Sequence, residues 1–113
     1  MHEMSLTESV IGIIEDEARR QNFLRVRAVV LEIGALACAE PEAMRFCFDV
    51  VSRGTPAEGA RLDIVRVAGA GWCFDCEREV ALAERFAPCP DCGRSRVRMT
   101  GGDEMRVLEM EVE

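Results

Sequence analysis

Two short cysteine pairs, Cys73-Phe-Asp-Cys76 and Cys89-Pro-Asp-Cys92, stand twelve residues apart and constrain the fold of this chain more than any other feature. Thiols at this spacing, one pair on each of two facing knuckles, close around a single tetrahedral ion, usually zinc. One Cys-x-x-Cys reads equally as a redox motif, but two in tandem among turn residues read as a metal ribbon. Gly71 before the first pair, and Pro88, Pro90 and Gly93 around the second, supply the tight turns such knuckles need. A four-cysteine site is coordinatively full, so it stabilises structure without stating a function. Cys38 and Cys47 fall in apolar stretches and read as small buried thiols, not as further ligands.

The sole histidine, His2, sits at the opposite end, directly behind Met1. A large second residue blocks removal of the initiating methionine, so the expected terminus is a free Met1 amine followed by His2. That amine, the His2 backbone nitrogen and the His2 ring nitrogen can close fused chelate rings around one ion. Such a nitrogen set suits square-planar nickel(II) or copper(II) and not magnesium or calcium. The chemistry alone leaves open whether His2 is a ligand or an incidental surface residue.

Charge narrows the class. The net charge is −7 and there is no lysine: residues 1–68 hold eleven acids against eight arginines, residues 69–99 five against five, and residues 100–113 five against one. Zinc ribbons that bind nucleic acid need a cationic footprint to displace phosphate counterions, and this chain lacks one. No stretch approaches the ~20 apolar residues of a membrane span, and the N-terminus has no signal-peptide pattern. With cysteines in metal-type pairs, the expected setting is a reducing cytoplasm.

The expected elements fit one small domain carrying an insert. Ser5-Leu-Thr-Glu8 reads as a capping box, opening a helix to about Gln21 with a buried stripe of Leu6, Val10, Ile13, Ile14 and Ala18 and leaving Met1 to Met4 as a mobile lead. Arg25 to Ile33, apolar on both faces, reads as a central strand. Glu40-Pro41-Glu42 starts a second helix, with proline at the first helical position and acids at the positive end of the dipole. Met44, Cys47, Phe48 and Val51 form its buried face. A strand follows from Arg61 to Val67, and Gly69-Ala-Gly71 reads as a flexible joint into the ribbon. After a turn at Gly101-Gly102, Glu104 to Val112 reads as a third strand with Leu108, Met110 and Val112 alternating against acids. The fold class is therefore α+β, an α/β sandwich of two helices on a three-stranded sheet with an inserted four-cysteine zinc ribbon. The domains are 1–68, completed by the strand in 100–113, and the ribbon 69–99.

Over its whole length the chain resembles the HypA/HybF nickel-insertion proteins of NiFe-hydrogenase maturation. The resemblance is carried by Met1-His2-Glu3-Met4-Ser5-Leu6, Glu40-Pro41-Glu42, Phe46-Cys47-Phe48-Asp49, Gly54-Thr55, both cysteine knuckles, and Gly101-Gly102-Asp103-Glu104-Met105-Arg106. It implies a metallochaperone and not an enzyme. Nickel(II), the cargo, is implied at the Met1 amine, the His2 backbone and ring nitrogens and Glu3, with Glu40 at the matching position of an acid placed near that site. Zinc(II) is implied as a structural ion on Cys73, Cys76, Cys89 and Cys92. The ribbon contains no histidine, so no histidine can exchange into its ligand set. The implied partners are a nickel-associated GTPase and the hydrogenase large subunit, with urease a further client in some organisms; whether the chain forms a homodimer is not legible. The amine and imidazole, with reference pKa values of about 7.7–8.0 and about 6.5, must lose protons to bind, so capture should weaken as pH falls.

Three rival readings accompany this one. Cys89-Pro-Asp-Cys92-Gly93 also looks like a rubredoxin knuckle, in which iron would make the protein red, but such proteins do not need the α/β part. A dithiol oxidoreductase needs an accessible thiol of lowered pKa, commonly at a helix start, and the turn residues here fit knuckles better. A structural zinc-ribbon adaptor that only binds protein partners, without nickel delivery, is the third.

Overall fold

Helix α1 runs His2–Gln21, starting earlier than the capping box predicts. Ser5 lies inside the helix, where its carbonyl accepts from the Ser9 hydroxyl at 3.2 Å, so Met4 and the residues after His2 are helical and not a mobile lead. Two interactions hold the added turn. The buried Thr7 hydroxyl donates to the Glu3 carbonyl at 2.7 Å, and Glu3 itself is an acid in the first turn, where the helix dipole favours it. Thr7 also meets the Met44 sulfur of α2 at 3.9 Å. The buried face is Thr7, Val10, Ile11, Ile14 and Ala18, rotated from the expected stripe; Leu6 is half-buried and Ile13 is 46% exposed. A polar residue at position 7 hides this face in the sequence, because its hydroxyl is satisfied within the helix.

The computed structural model describes residues 2–113. After α1 come β1 (Val26–Gly34), α2 (Pro41–Val51), β2 (Arg61–Val67), β3 (Gly69–Cys73), β4 (Arg78–Leu82), β5 (Val97–Gly101) and β6 (Met105–Val112). They form two three-stranded sheets, ordered β2-β1-β6 and β4-β3-β5. The chain divides into two compact units. One holds the residues up to Leu31, Ala39–Val65 and Arg106–Glu113; the other holds Glu32–Cys38 and Arg66–Met105.

In the β2-β1-β6 sheet β1 is the central strand, as its two apolar faces require; its residues to Leu31 fall in the first unit and those from Glu32 in the second. The Arg25 carbonyl accepts from Glu113 N–H at 3.0 Å, and Gly34 N–H donates to the Glu104 carbonyl at 2.8 Å, so β6 runs antiparallel to β1. Ala35 N–H donates to the Val67 carbonyl, so β1 and β2 end side by side and run parallel. A parallel pair needs a crossover, and α2 supplies it. Glu40 caps α2 by accepting from Ala43 N–H at 2.9 Å, followed by Pro41 at the first turn. Val10, Ile14, Val29, Leu31, Met44, Cys47 and Phe48 are buried in the first unit. Strand β6 is less buried than its alternation suggests: Leu108 and Val112 are 43% and 42% exposed, because β6 is an edge strand.

In the second unit the glycines expected to act as a joint are strand residues. Gly69 and Gly71 lie in β3, which pairs antiparallel with β4 (Gly69↔Leu82 to Cys73↔Arg78) and β5 (Gly71↔Met99, Cys73↔Val97). A Cβ at Gly69 would stand 2.5 Å from the Leu82 carbonyl oxygen, and one at Gly71 2.7 Å from Leu82 and Val97 side-chain carbons. They are glycine for close packing, not for flexibility. Leu36, Cys73, Val80, Leu82 and Cys89 form the core of this unit.

Candidate metal centre

The β3–β4 turn and the segment between β4 and β5 each make a knuckle, and the same backbone device builds both. Glu77 N–H donates to the Cys73 carbonyl and Gly93 N–H to the Cys89 carbonyl, each at 2.8 Å. Both donors adopt the left-handed conformation, φ 54° at Glu77 and 74° at Gly93. A further backbone N–H points at the first sulfur of each knuckle: Cys76 N–H lies 3.4 Å from Cys73 Sγ, and Asp91 N–H lies 3.4 Å from Cys89 Sγ. Such donors stabilise thiolate charge.

The four sulfurs converge. All lie within 4.8 Å of one another, with Cys73 and Cys92 at 3.8 Å and Cys76 and Cys89 at 3.9 Å. Four sulfurs held at about 2.3 Å from one tetrahedral ion are about 3.8 Å apart along each edge, so the donor set fits zinc. Cys73 and Cys89 are buried, Cys76 is half-buried and Cys92 exposed. Among the described residues this is the one grouping of three or more histidine, cysteine or acidic side chains able to hold an ion. Without an ion the thiols divide their protons unequally. The backbone N–H groups of Cys92 and Asp91 pull Cys89 down to about 7. Hydrogen bonding to Cys92, with burial added, pushes Cys76 up to about 12.

The nickel-site residues of the sequence reading fall partly together. Met1 lies outside the described residues. His2 is exposed in the first turn of α1. Glu3 and Glu40, thirty-seven positions apart, meet: Glu40 N–H donates to Glu3 Oε2 at 3.2 Å. That bond holds the Glu3 carboxyl below its ordinary value. His2 does not join them in a cluster like that of the cysteines. Of the other thiols, Cys47 is buried in the core as expected. Cys38 is exposed with φ 59°, because the chain turns there between β1 and α2.

Charged residues that do not stand out in the sequence flank the cysteine cluster. Asp75 lies 3.5 Å from Arg94 and 3.3 Å from Arg96, and Asp91 pairs with Arg78 at 2.5 Å. A signal for them exists, since both knuckles follow the pattern Cys-x-Asp-Cys-x-Arg.

The comparisons with known proteins agree with this geometry. A family model described as "Hydrogenase/urease nickel incorporation, metallochaperone, hypA" matches residues 1–112. The hydrogenase maturation factor HypA of Methylocella silvestris is 65% identical over 113 residues, the full length of both chains. Its counterpart in Rhodopseudomonas palustris strain BisB5 is 60% identical, also over both full lengths. The solution structure of the nickel metallochaperone HypA from Helicobacter pylori superposes with a TM-score of 0.70 at 26% identity, over 97% of this chain and 96% of that one. A second HypA solution structure gives 0.72 at 28% identity, over 100% and 97%. With its two helices, two small sheets and converging thiols, the chain belongs to the HypA family of nickel metallochaperones for hydrogenase maturation.

Proposed function

We propose that this chain carries nickel(II) at its N-terminus and delivers it for NiFe-hydrogenase maturation, while a zinc(II) ion on Cys73, Cys76, Cys89 and Cys92 supports the ribbon. The single observation that carries the N-terminal reading is the Glu3–Glu40 contact beside His2. It brings the Glu3 carboxylate and the Glu40 backbone, thirty-seven positions apart, together at the start of α1, where His2 is exposed. The nickel ligands in this reading are the Met1 amine, the His2 backbone and ring nitrogens, and Glu3, with Glu40 a secondary candidate. The helical start does not remove the His2 backbone nitrogen from use, since the first N–H groups of a helix have no intrahelical acceptor.

The chemistry follows from these donors. Both carboxylates are engaged by α2, Glu3 by the Glu40 N–H and Glu40 by the Ala43 N–H. Each accepts with one oxygen and keeps the other for a metal, so it can serve as a single, weakly held oxygen donor beside the nitrogens. A cargo site benefits from that: an incoming ligand can attach while the weakest old one leaves. The protein works as a carrier, with no catalytic residues. Its partners in this reading are a nickel-associated GTPase and the hydrogenase large subunit, with neither nucleic acid nor membrane involved. We place it in the cytoplasm, where cysteines stay reduced for metal binding. No helix among the described residues is long and apolar enough to cross a membrane.

Nickel titration of the untagged, zinc-loaded chain beside His2→Ala, with zinc counted in both, tests the reading. The expected result is loss of nickel binding in the variant with one zinc per chain retained. Equal nickel binding by both chains would remove His2 from the site. A colourless protein supports zinc, while a red one would mean iron on the four thiols.

A further inference from the structure

The two knuckles are chemically alike beyond their cysteines. Each carries an aspartate two positions after its first cysteine, Asp75 and Asp91, and an arginine two positions after its second, Arg78 and Arg94. In each case the aspartate of one knuckle pairs with the arginine of the other. Arg78, the first residue of β4, reaches across to Asp91 at 2.5 Å, and Arg94 reaches back to Asp75 at 3.5 Å. Arg96 adds a second contact to the same Asp75 oxygen at 3.3 Å, its guanidinium held 5.9 Å from the centre of the Phe74 ring. Within either knuckle the pairing does not occur; it crosses between them both times.

We propose that Asp75, Asp91, Arg78 and Arg94, with Arg96, form a reciprocal clasp that holds the two knuckles face to face and slows escape of the ion between them. They are positioning residues and touch the metal only through the loops they fix. The inference rests on the zinc reading of the four thiols. The strands support the knuckles only at their bases, where Cys73 pairs with Arg78 and Val97. Cys89 and Cys92 lie in the segment between β4 and β5, outside any strand, so the sheet alone does not set the gap between the two sulfur pairs. The two pairs differ in depth. Asp75 is only 17% exposed and has one carboxylate oxygen enclosed, whereas the Arg78–Asp91 pair is about half exposed.

A rival explanation uses the same residues. Zinc on four thiolates leaves two negative charges, and nearby arginines could retain the ion by their field alone. The two explanations differ in sign. In a clasp, removing either member of a pair hastens zinc loss. In a field, Arg78→Gln hastens it and Asp91→Asn slows it, because the second change removes a negative charge beside a negative centre.

The experiment follows zinc release to a chromogenic chelator from the full chain and from Arg78→Gln, Asp91→Asn, Asp75→Asn and the charge swap Arg78→Asp/Asp91→Arg. Zinc content of the unaltered chain is counted first, and the cobalt(II) form of each variant is checked for the tetrathiolate absorption bands. The expected result is release about two- to fivefold faster in the Arg78 and Asp91 variants, about tenfold faster for the more buried Asp75, and a rate restored toward normal by the swap. Unchanged rates, opposite effects of Arg78→Gln and Asp91→Asn, or a swap as fast as the single variants would each overturn the clasp while leaving the zinc site standing. Absence of zinc from the unaltered chain would overturn both.

Discussion

At the scale of single residues, Glu3 carries the most consequence. Its carboxylate accepts from the Glu40 backbone N–H, which lowers its pKa from the ordinary 4.5. A carboxyl whose folded pKa is depressed adds stability above its unfolded pKa and loses it as pH falls through the folded value. The bond between the start of α1 and the start of α2 should therefore weaken below about pH 4.5 and hold at neutral pH. Glu3→Gln can still accept the N–H but cannot titrate. Thermal melts of nickel-free protein from pH 7 to pH 3 should show the two chains converging in the acid range, with the unaltered chain the more stable only above it; parallel curves throughout would remove Glu3 from that role. Met1, His2 and the cysteines stood out in the sequence by type and spacing. The Glu3–Glu40 bond did not, because nothing in a linear order brings residues thirty-seven apart together.

At the scale of elements, glycines separate close packing from freedom. A Cβ on Gly34, at the end of β1, would stand 2.0 Å from the Gly102 carbonyl oxygen, an atom of the backbone that cannot swing aside. The same stretch carries hydrogen bonds from Gly34 N–H to Glu104 and from Leu36 N–H to Gly102. Gly34→Ala should cost about 3 kcal/mol through overpacking. Gly12, inside α1, has nothing within 4 Å of its would-be Cβ. Gly12→Ala should stabilise the chain by about 0.5–1 kcal/mol through helix propensity. Urea unfolding of both variants checks the pair, and equal effects would contradict it. The elements themselves were largely legible: β1, α2 and β2 follow from apolar periodicity and from the Glu40-Pro41 helix start. The start of α1 and the ribbon strands were not. Ser5 offers a cap that a longer helix overrides, and β3 is so glycine-rich that its sequence reads as a joint.

At the scale of the whole molecule, the chain folds as two compact units. Both helices lie in the first unit, and the four thiols with the β4-β3-β5 sheet lie in the second. The core of the second unit is small and includes Cys73 and Cys89, so an ion held by these thiols would couple its binding to folding there. Removing zinc with a strong chelator should expose the ribbon amides to hydrogen exchange while the helical circular dichroism persists. Loss of the helical signal together with the zinc would show that the metal holds both units.

By itself the sequence determined the chemistry available: which residues can hold a metal, that three of the strands and both helices form, and that the net charge is −7 without a single lysine. Spacing carries that information, because a knuckle or an amphipathic helix is local and needs only residues a few positions apart. Tertiary structure alone decided which face of α1 is buried, that Glu3 meets Glu40, that Gly69 and Gly71 are packed strand residues, and that the aspartate of each knuckle reaches the arginine of the other. Each of these depends on non-local contact. The free energy of such a contact is set by what stands opposite once the chain has closed, and the order of residues along one segment does not contain it.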